Sequence, residues 1–165
     1  MEIKLLILFG VFSLVGSVAN QNDESLLVGA FNIQIYGQSK GGKDDVIQII
    51  VQILARYDLI VVQEIRDSKE TAFDSLIGKL NNEYGDVFDY VIGARVGRTK
   101  SKEQYGFVFR KDKVEIESMY EYNDQYDVFE GEPLIVRWRR IDDRGKQKSF
   151  TFIPMHAKPR AALAE

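Results

Sequence analysis

Apolar and polar residues follow two periodicities along the first half of the chain, and each periodicity predicts an element of secondary structure. Residues 25–35 and 58–64 are mostly apolar, as is typical of strands buried on both faces. Residues 44–57 repeat apolar positions every three or four residues, which predicts an amphipathic helix. A second helix is expected over 68–82, with Ser68 as its N-terminal cap.

Strand patterns dominate the second half of the chain. Apolar and charged residues alternate over 114–122, which indicates a strand with one face in water. Further strands are predicted over 88–93, 104–110, 133–141 and 147–156, with a loop at 37–42 and a hairpin turn at 142–145. A β-α-β-α start followed by antiparallel strands indicates an α+β or layered α/β fold in a single domain.

Residues 1–19 have the pattern of a secretory signal peptide. A lysine at position 4 precedes an apolar stretch at 5–15, and small residues follow at 17–19. The apolar stretch is too short to span a bilayer, although an N-terminal membrane anchor is the alternative. No second run of spanning length follows, so we expect residues 20–165 to be secreted, extracellular and free of the membrane.

Composition narrows the classes of partner. The chain has 165 residues, a formal net charge of −3 and no cysteine. A near-balanced charge provides no strong overall field to attract nucleic acid, so binding of a polyanion would need a local patch or a bound metal ion. Stability must come from burial of a core, because no disulfide can form.

Four polar residues lie at predicted strand ends or just beyond them: Asn32, Glu64, Glu103 and His156. His156 is the only histidine and is a candidate general acid or base, although an isolated histidine is more often structural. Glu64 follows a buried strand, so it needs a cation or hydrogen-bond donors. Mg²⁺ or Ca²⁺ would satisfy it, and a salt bridge to Arg66 is the alternative.

Glu103 is a candidate site residue because it is predicted to pair with His156. A carboxylate on one imidazole nitrogen fixes the tautomer and stabilises the protonated ring. Taken alone, Glu103 is more simply a surface acid. A short basic stretch before it could contact phosphates or could be a solvated loop. This stretch contains Arg95, Arg98, Lys100 and Lys102.

Several motifs occur in an order and at a spacing that together make chance similarity improbable. They are Ala30-Phe31-Asn32-Ile33, Gln63-Glu64-Ile65-Arg66-Asp67-Ser68, Lys102-Glu103-Gln104-Tyr105, Glu132-Pro133 and Pro154-Met155-His156. With them, the chain resembles the deoxyribonuclease I family of the endonuclease/exonuclease/phosphatase superfamily. The resemblance spans essentially all of residues 20–165.

The resemblance implies a role for each of the four polar residues. Glu64 would be the metal-binding carboxylate, with Asn32 as its companion near the scissile phosphate. His156 would be one of two catalytic histidines, and Glu103 would orient it. The implied cofactors are Mg²⁺, or Mn²⁺ in its place, together with Ca²⁺.

The resemblance also implies a DNA-binding surface and a structural ion. Arg66 would enter the minor groove, where arginine is favoured, and Arg98 and Tyr105 would contact DNA. A structural calcium ion would be held by oxygen ligands. The residues implied at this calcium site are Asp124, Asp127, the carbonyl of Phe129, and Glu132.

Departures from the family pattern are equally informative. Gly131 and Gln34 stand where the family usually has arginines that contact phosphate. Family members also continue well beyond the length seen here, with further metal ligands and a second catalytic histidine. The resemblance therefore implies the N-terminal half of a two-sheet sandwich, comprising about one sheet and its helices. An apolar sheet face left in water predicts self-association of residues 20–165.

These observations favour a secreted, divalent-metal-dependent endonuclease that hydrolyses DNA phosphodiester bonds, with a chain that is weak or inactive alone. Within the superfamily, a phosphoinositide phosphatase and a sphingomyelinase are alternatives. The signal peptide and Arg66 argue against the phosphatase, and the motif around Glu64 favours a nuclease over both. A separate alternative is a non-catalytic, truncated homologue that binds DNA or a protein partner.

Overall fold

A computed structural model of the chain describes residues 25–141 and 148–156. Within these ranges the chain forms ten elements. They are β1 (Val28–Tyr36), α1 (Gln38–Gly41), α2 (Asp44–Ala55), β2 (Leu59–Ile65), α3 (Ala72–Tyr84), β3 (Phe88–Ile92), β4 (Gln104–Arg110), β5 (Val114–Glu121), β6 (Leu134–Arg140) and β7 (Ser149–Phe152).

The strands form two sheets. The first has the order β1-β2-β4-β3, with β1 parallel to β2 and the other pairs antiparallel. The second has the order β5-β6-β7 and is antiparallel. The α+β fold class expected from the sequence is confirmed, with both sheets present in the described residues.

Strand β2 is apolar on both faces because each face meets a different layer. Ile60 and Val62 lie in one buried cluster with the apolar stripes of α2 and α3. Leu59 and Val61 lie in a second cluster, shared with residues of the second sheet. Alternate side chains of a strand point to opposite faces, so a continuous apolar run places this strand between two layers.

Aromatic side chains fill the space between the two sheets. Phe107 packs edge-to-face on Trp138 at 5.6 Å and on Phe152 at 5.4 Å, and Phe109 packs on Trp138 at 5.0 Å. Trp138 is fully buried. The second sheet thus covers part of the face that was expected to lie in water. The chain was expected to form about one sheet with its helices, and the described residues form two sheets. Self-association stays a prediction.

Strands β1 and β2 are irregular at the end where the candidate site residues lie. Their register shifts between Asn32 and Tyr36, and Gln34, Ile35 and Glu64 have φ angles of 52°, 53° and 62°. Positive φ is unfavourable for residues other than glycine, and such strain collects where a bulge redirects a side chain. This distortion turns Glu64 toward β1.

Some boundaries differ from the sequence-based expectations. The loop expected at 37–42 contains α1, and β7 ends four residues before His156 instead of reaching it. The signal peptide at 1–19 and the hairpin turn at 142–145 lie outside the described residues. No helix in the described ranges is long and apolar enough to cross a membrane.

The cap expected at Ser68 was wrong, because α3 begins four residues later, at Ala72, and its first N–H groups bond to Asp67. Its carboxylate accepts the backbone N–H groups of Ala72 at 2.8 Å and Thr71 at 2.9 Å, at the start of α3. It also accepts the Gln38 side-chain amide at 2.7 Å. Burial acts to raise the pKa of Asp67, but these hydrogen bonds outweigh it and lower that pKa.

The contrast between these two neighbours gives a stability prediction. Replacing Asp67 with alanine should lower the free energy of unfolding by about 2 kcal/mol, because buried N–H groups lose their acceptor. Ser68→Ala, at an exposed position, should cost less than about 0.5 kcal/mol. Urea unfolding followed by the fluorescence of Trp138, the only tryptophan, measures both. Equal costs would show that Asp67 does not cap α3.

Candidate active site

Two strands of the first sheet anchor the segment that carries His156. The backbone N–H of His156 donates to the hydroxyl of Tyr105 at 2.9 Å, from β4. The side-chain amide of Gln63, in β2, donates to the carbonyl of Met155 at 3.1 Å. These contacts fix the backbone beside the ring although His156 lies beyond the end of β7.

The Tyr105 ring is only 3% exposed and belongs to the apolar cluster between the sheets. Its position follows from the alternation of β4, which sends Tyr105 and Phe107 to the same face. The sequence singled out Tyr105 as a DNA contact and missed its role in holding His156. DNA contact by Tyr105 stays a prediction.

His156 and Glu103 are in direct contact. The ring Nδ1 lies 2.7 Å from Oε1 of Glu103, and Glu103 itself forms an isolated β-bridge with Val96 just before β4. This hydrogen bond assigns the proton to Nδ1 when the ring is neutral and leaves Nε2 to face the other way. Nε2 lies 3.7 Å from Oε1 of Glu64. The predicted contact is present, and its catalytic role stays a prediction.

Glu64 is held by donors from β1. The side-chain amide of Asn32 donates to Oε1 at 2.8 Å, and the backbone N–H of Ile35 donates to Oε2 at 3.1 Å. The Asn32 carbonyl oxygen accepts the N–H of Gln34 at 2.8 Å. Asn32 therefore orients the carboxylate in this arrangement, while its own oxygen is already engaged.

Arg66 lies near the carboxylates of Glu64 and Glu103 and is closer to Glu103. Its guanidinium donates to Oε2 of Glu103 at 3.1 Å and to the hydroxyl of Ser101 at 3.1 Å, whereas Oε2 of Glu64 is 3.8 Å away. The salt bridge considered from the sequence, Glu64 to Arg66, is thus the weaker of the two. Entry of Arg66 into a DNA groove stays a prediction.

The pairing changes the acidity of both partners. The hydrogen bond to Glu103 raises the pKa of His156, and the Glu103 and Glu64 charges add to that effect against burial. Burial acts to raise the pKa of Glu103, but the hydrogen bond and charge of His156, with Arg66, outweigh it and lower that pKa. The site therefore favours imidazolium opposite carboxylate.

Glu64 fits the requirements of a Mg²⁺ ligand. Mg²⁺ commonly takes one or two protein carboxylates and completes its coordination with water and substrate phosphate. The Glu64 side chain is 15% exposed, is held in place by two donors and keeps lone pairs free. Among the described residues, no group of three or more His, Cys, Asp or Glu side chains is placed to hold a metal ion.

In the loop of the implied calcium ligands, the carboxylate of Asp127 pairs with Arg98. The Arg98 guanidinium donates to Oδ1 of Asp127 at 3.1 Å and to its carbonyl oxygen, and lies 3.7 Å from Glu130. Asp124 accepts the backbone N–H of Phe129 at 2.7 Å. Arg98 thus pairs with a predicted calcium ligand at an exposed position. The calcium role of this loop, including Glu132, and the DNA role of Arg98 stay predictions.

The position of Gly131 leaves little room for a side chain. A Cβ atom built there would lie 3.0 Å from Cγ2 of Val96, the residue that pairs with Glu103. The arginine expected from the family pattern would therefore require Val96 to shift. Gln34, the other departure, is exposed in the distorted part of β1.

Comparison with known proteins identifies close relatives in sequence. The chain is 40% identical to deoxyribonuclease-1 of Equus caballus over 146 residues and to that of Homo sapiens over 150 residues. These matches cover 86% and 88% of the chain and 51% and 52% of the relatives. The chain thus spans about half the length of the curated relatives it matches. No family model matches it.

Solved structures show the same fold at low sequence identity. The catalytic domain of human Nocturnin aligns with a TM-score of 0.52 and 13% identity, covering 81% of this chain and 51% of that one. An endonuclease/exonuclease/phosphatase family protein from Bacteroides thetaiotaomicron aligns with a TM-score of 0.51 and 16% identity, covering 82% and 52%.

The single histidine allows a direct test of the pairing, because its ring signals in an NMR titration need no assignment. We expect the pKa of His156 to lie above its ordinary value of 6.5. Glu103→Gln should lower that pKa, because it removes the charge beside the imidazolium. Glu115→Gln, on the second sheet, is the control and should leave it unchanged. A His156 pKa that does not respond to Glu103→Gln would refute the pairing.

Proposed function

Since the chain belongs to the deoxyribonuclease I family along the half of the relatives that it spans, we propose that it carries one part of the active site of a secreted, divalent-metal-dependent endonuclease acting on DNA. The supporting observation is the arrangement of His156, with Nδ1 on Glu103 and Nε2 toward Glu64. An imidazole backed by one carboxylate and facing another suits proton transfer beside a phosphate.

His156 would donate a proton to the leaving oxygen. Hydrolysis of a phosphodiester bond transfers water to phosphorus and releases an alcohol, so a proton must be taken from one oxygen and given to another. The Glu103 hydrogen bond raises the pKa of His156 and so favours the protonated ring. The ring is therefore suited to act as general acid from Nε2, while Glu103 holds its orientation.

Glu64 would be the carboxylate that holds the metal ion. A divalent ion bound there would polarise the phosphate and offset the charge that develops on the leaving oxygen. Asn32 and the backbone N–H of Ile35 fix the orientation of the carboxylate. The positive φ of Glu64 is backbone strain that accompanies this orientation. Mg²⁺ and Mn²⁺ both accept such oxygen ligands.

Arg66 would supply positive charge for the DNA backbone or its minor groove. Its guanidinium is about one quarter exposed and is held by Glu103 and Ser101. Approach of a phosphate could draw one of its N–H groups away from Ser101 while the bond to Glu103 remains. This arrangement would connect DNA binding to the residue that orients His156.

A plasmid nicking assay tests the proposal at two levels. Residues 20–165 alone should nick supercoiled DNA little or not at all in Mg²⁺ and Ca²⁺, because groups that act as one catalytic unit are strongly non-additive. Fusion to the remaining half of human deoxyribonuclease-1 should restore nicking. In that fusion, His156→Ala or Glu64→Gln should each reduce the rate by about 100-fold or more.

Glu115→Gln in the same fusion is the matched control, since Glu115 pairs with Arg139 on the second sheet. It should retain the rate of the unmodified fusion. Near-normal nicking by the His156→Ala fusion would overturn the assignment of the site. DNA binding without nicking by a folded fusion would favour the non-catalytic alternative.

A further inference from the structure

The bulge in β1 leaves backbone groups that the sheet does not pair. Between Asn32 and Tyr36 the register against β2 shifts, so three residues of β1 stand opposite a single residue of β2, Glu64. Backbone N–H and C=O groups in such a segment must find partners outside the strand ladder. From those partners, we propose that Lys40 is a positioning residue for the carboxylate of Glu64, a role that rests on the proposed function of Glu64 as a metal ligand.

The N–H groups of the bulge bond to side chains of the candidate active site. The N–H of Gln34 donates to the side-chain oxygen of Asn32 at 2.8 Å, and the N–H of Ile35 donates to Oε2 of Glu64 at 3.1 Å. The Asn32 amide donates in turn to Oε1 of Glu64 at 2.8 Å. Both oxygens of the carboxylate are therefore oriented by this short segment, one directly and one through Asn32.

The carbonyl groups of the same bulge bond to Lys40. Its ammonium donates to the carbonyl oxygen of Ile33 at 3.1 Å and to that of Gln34. These two carbonyls belong to the peptide groups that contain the N–H groups of Gln34 and Ile35. In a planar trans peptide the oxygen and the hydrogen point in opposite directions. By holding the two oxygens, Lys40 therefore fixes the direction of the two N–H groups.

The charge of Lys40 adds to this geometric effect. A hydrogen bond from an ammonium is shorter and stronger than one between neutral groups. It also polarises the peptide that accepts it, which strengthens the hydrogen bond that the N–H of that peptide donates. The N–H of Ile35 is thus a better donor to Glu64 while Lys40 is in place.

Lys40 reaches the bulge from an anchored helix. The side-chain amide of Gln38, in α1, donates to Asp67 at 2.7 Å and to the hydroxyl of Thr71 at 3.0 Å. Lys40 itself is partly buried. The hydrogen bonds of α1 to the start of α3 therefore hold the backbone from which Lys40 extends.

A surface cation without a role in the site is the alternative for Lys40, and the two roles predict opposite changes in metal binding. A positive charge near a cation site repels the metal ion, so removal of an uninvolved lysine should tighten binding. Removal of a positioning lysine should weaken binding, because the carboxylate of Glu64 loses part of its orientation.

Mn²⁺ binding to the chain, followed by paramagnetic broadening of NMR signals, separates the two roles. We expect Lys40→Met to weaken binding roughly fivefold, less than the tenfold or larger loss typical of a direct partner of a metal ligand. Lys40→Arg should retain most of the affinity, since a guanidinium can donate to both carbonyls. Lys43→Met is the matched control, because Lys43 is exposed and its side chain does not cap α2. It should not weaken binding.

Hydrogen exchange at the Ile35 amide provides a readout that needs no metal ion. Lys40→Met should speed this exchange by about tenfold or more relative to amides of β6, whereas Lys43→Met should not. Unchanged exchange at Ile35 in Lys40→Met, or Mn²⁺ binding by Lys40→Met as tight as that by Lys43→Met, would overturn the role of Lys40. An unmodified chain that binds no Mn²⁺ would instead refute Glu64 as a metal ligand, and exchange at Ile35 would then decide alone whether Lys40 orients that carboxylate.

Discussion

The carboxylate of Glu103 is the interaction on which the candidate active site depends. One oxygen meets the imidazole of His156 at 2.7 Å and the other meets the guanidinium of Arg66 at 3.1 Å. These partners follow β7 and β2, whereas Glu103 precedes β4. One partly buried anion therefore joins three strand ends that belong to two different sheets, and it sets the protonation preference of the only histidine.

This junction relies on the layered core behind it. The aromatic packing of Phe107 against Trp138 and Phe152 holds the second sheet on the first, and so brings the end of β7 to the edge of β4. Tyr105 and Gln63 then fix the backbone around His156. Positive φ angles mark the bulged ends of β1 and β2, where the neighbouring strands hold Glu64 in an unfavourable conformation.

Much of this arrangement could be predicted from the sequence, because strand ends and their polar residues are local patterns. The apolar run of β2 indicated a strand between two layers, and the positions of Glu103 and His156 indicated a pair. The start of α3 could not be placed from the sequence, since Asp67, Ser68 and Thr71 are all residue types that favour a helix N-terminus. The role of Tyr105 depends on a contact 51 residues away, which no local pattern reveals. The preference of Arg66 for Glu103 over Glu64 rests on less than 1 Å of distance.

A double-mutant cycle on the unfolding free energy, with Glu103→Gln and His156→Asn, tests the central pairing most directly. His156 has a raised pKa in the folded state, so its stabilisation is complete below about 6.5 and is lost as pH rises through the folded value. Glu103 has a lowered pKa, so its stabilisation holds above about 4.5. We therefore predict a coupling energy on the order of 1–2 kcal/mol near pH 5.5 that shrinks by pH 9. A coupling near zero at pH 5.5, or one that grows with pH, would contradict the account.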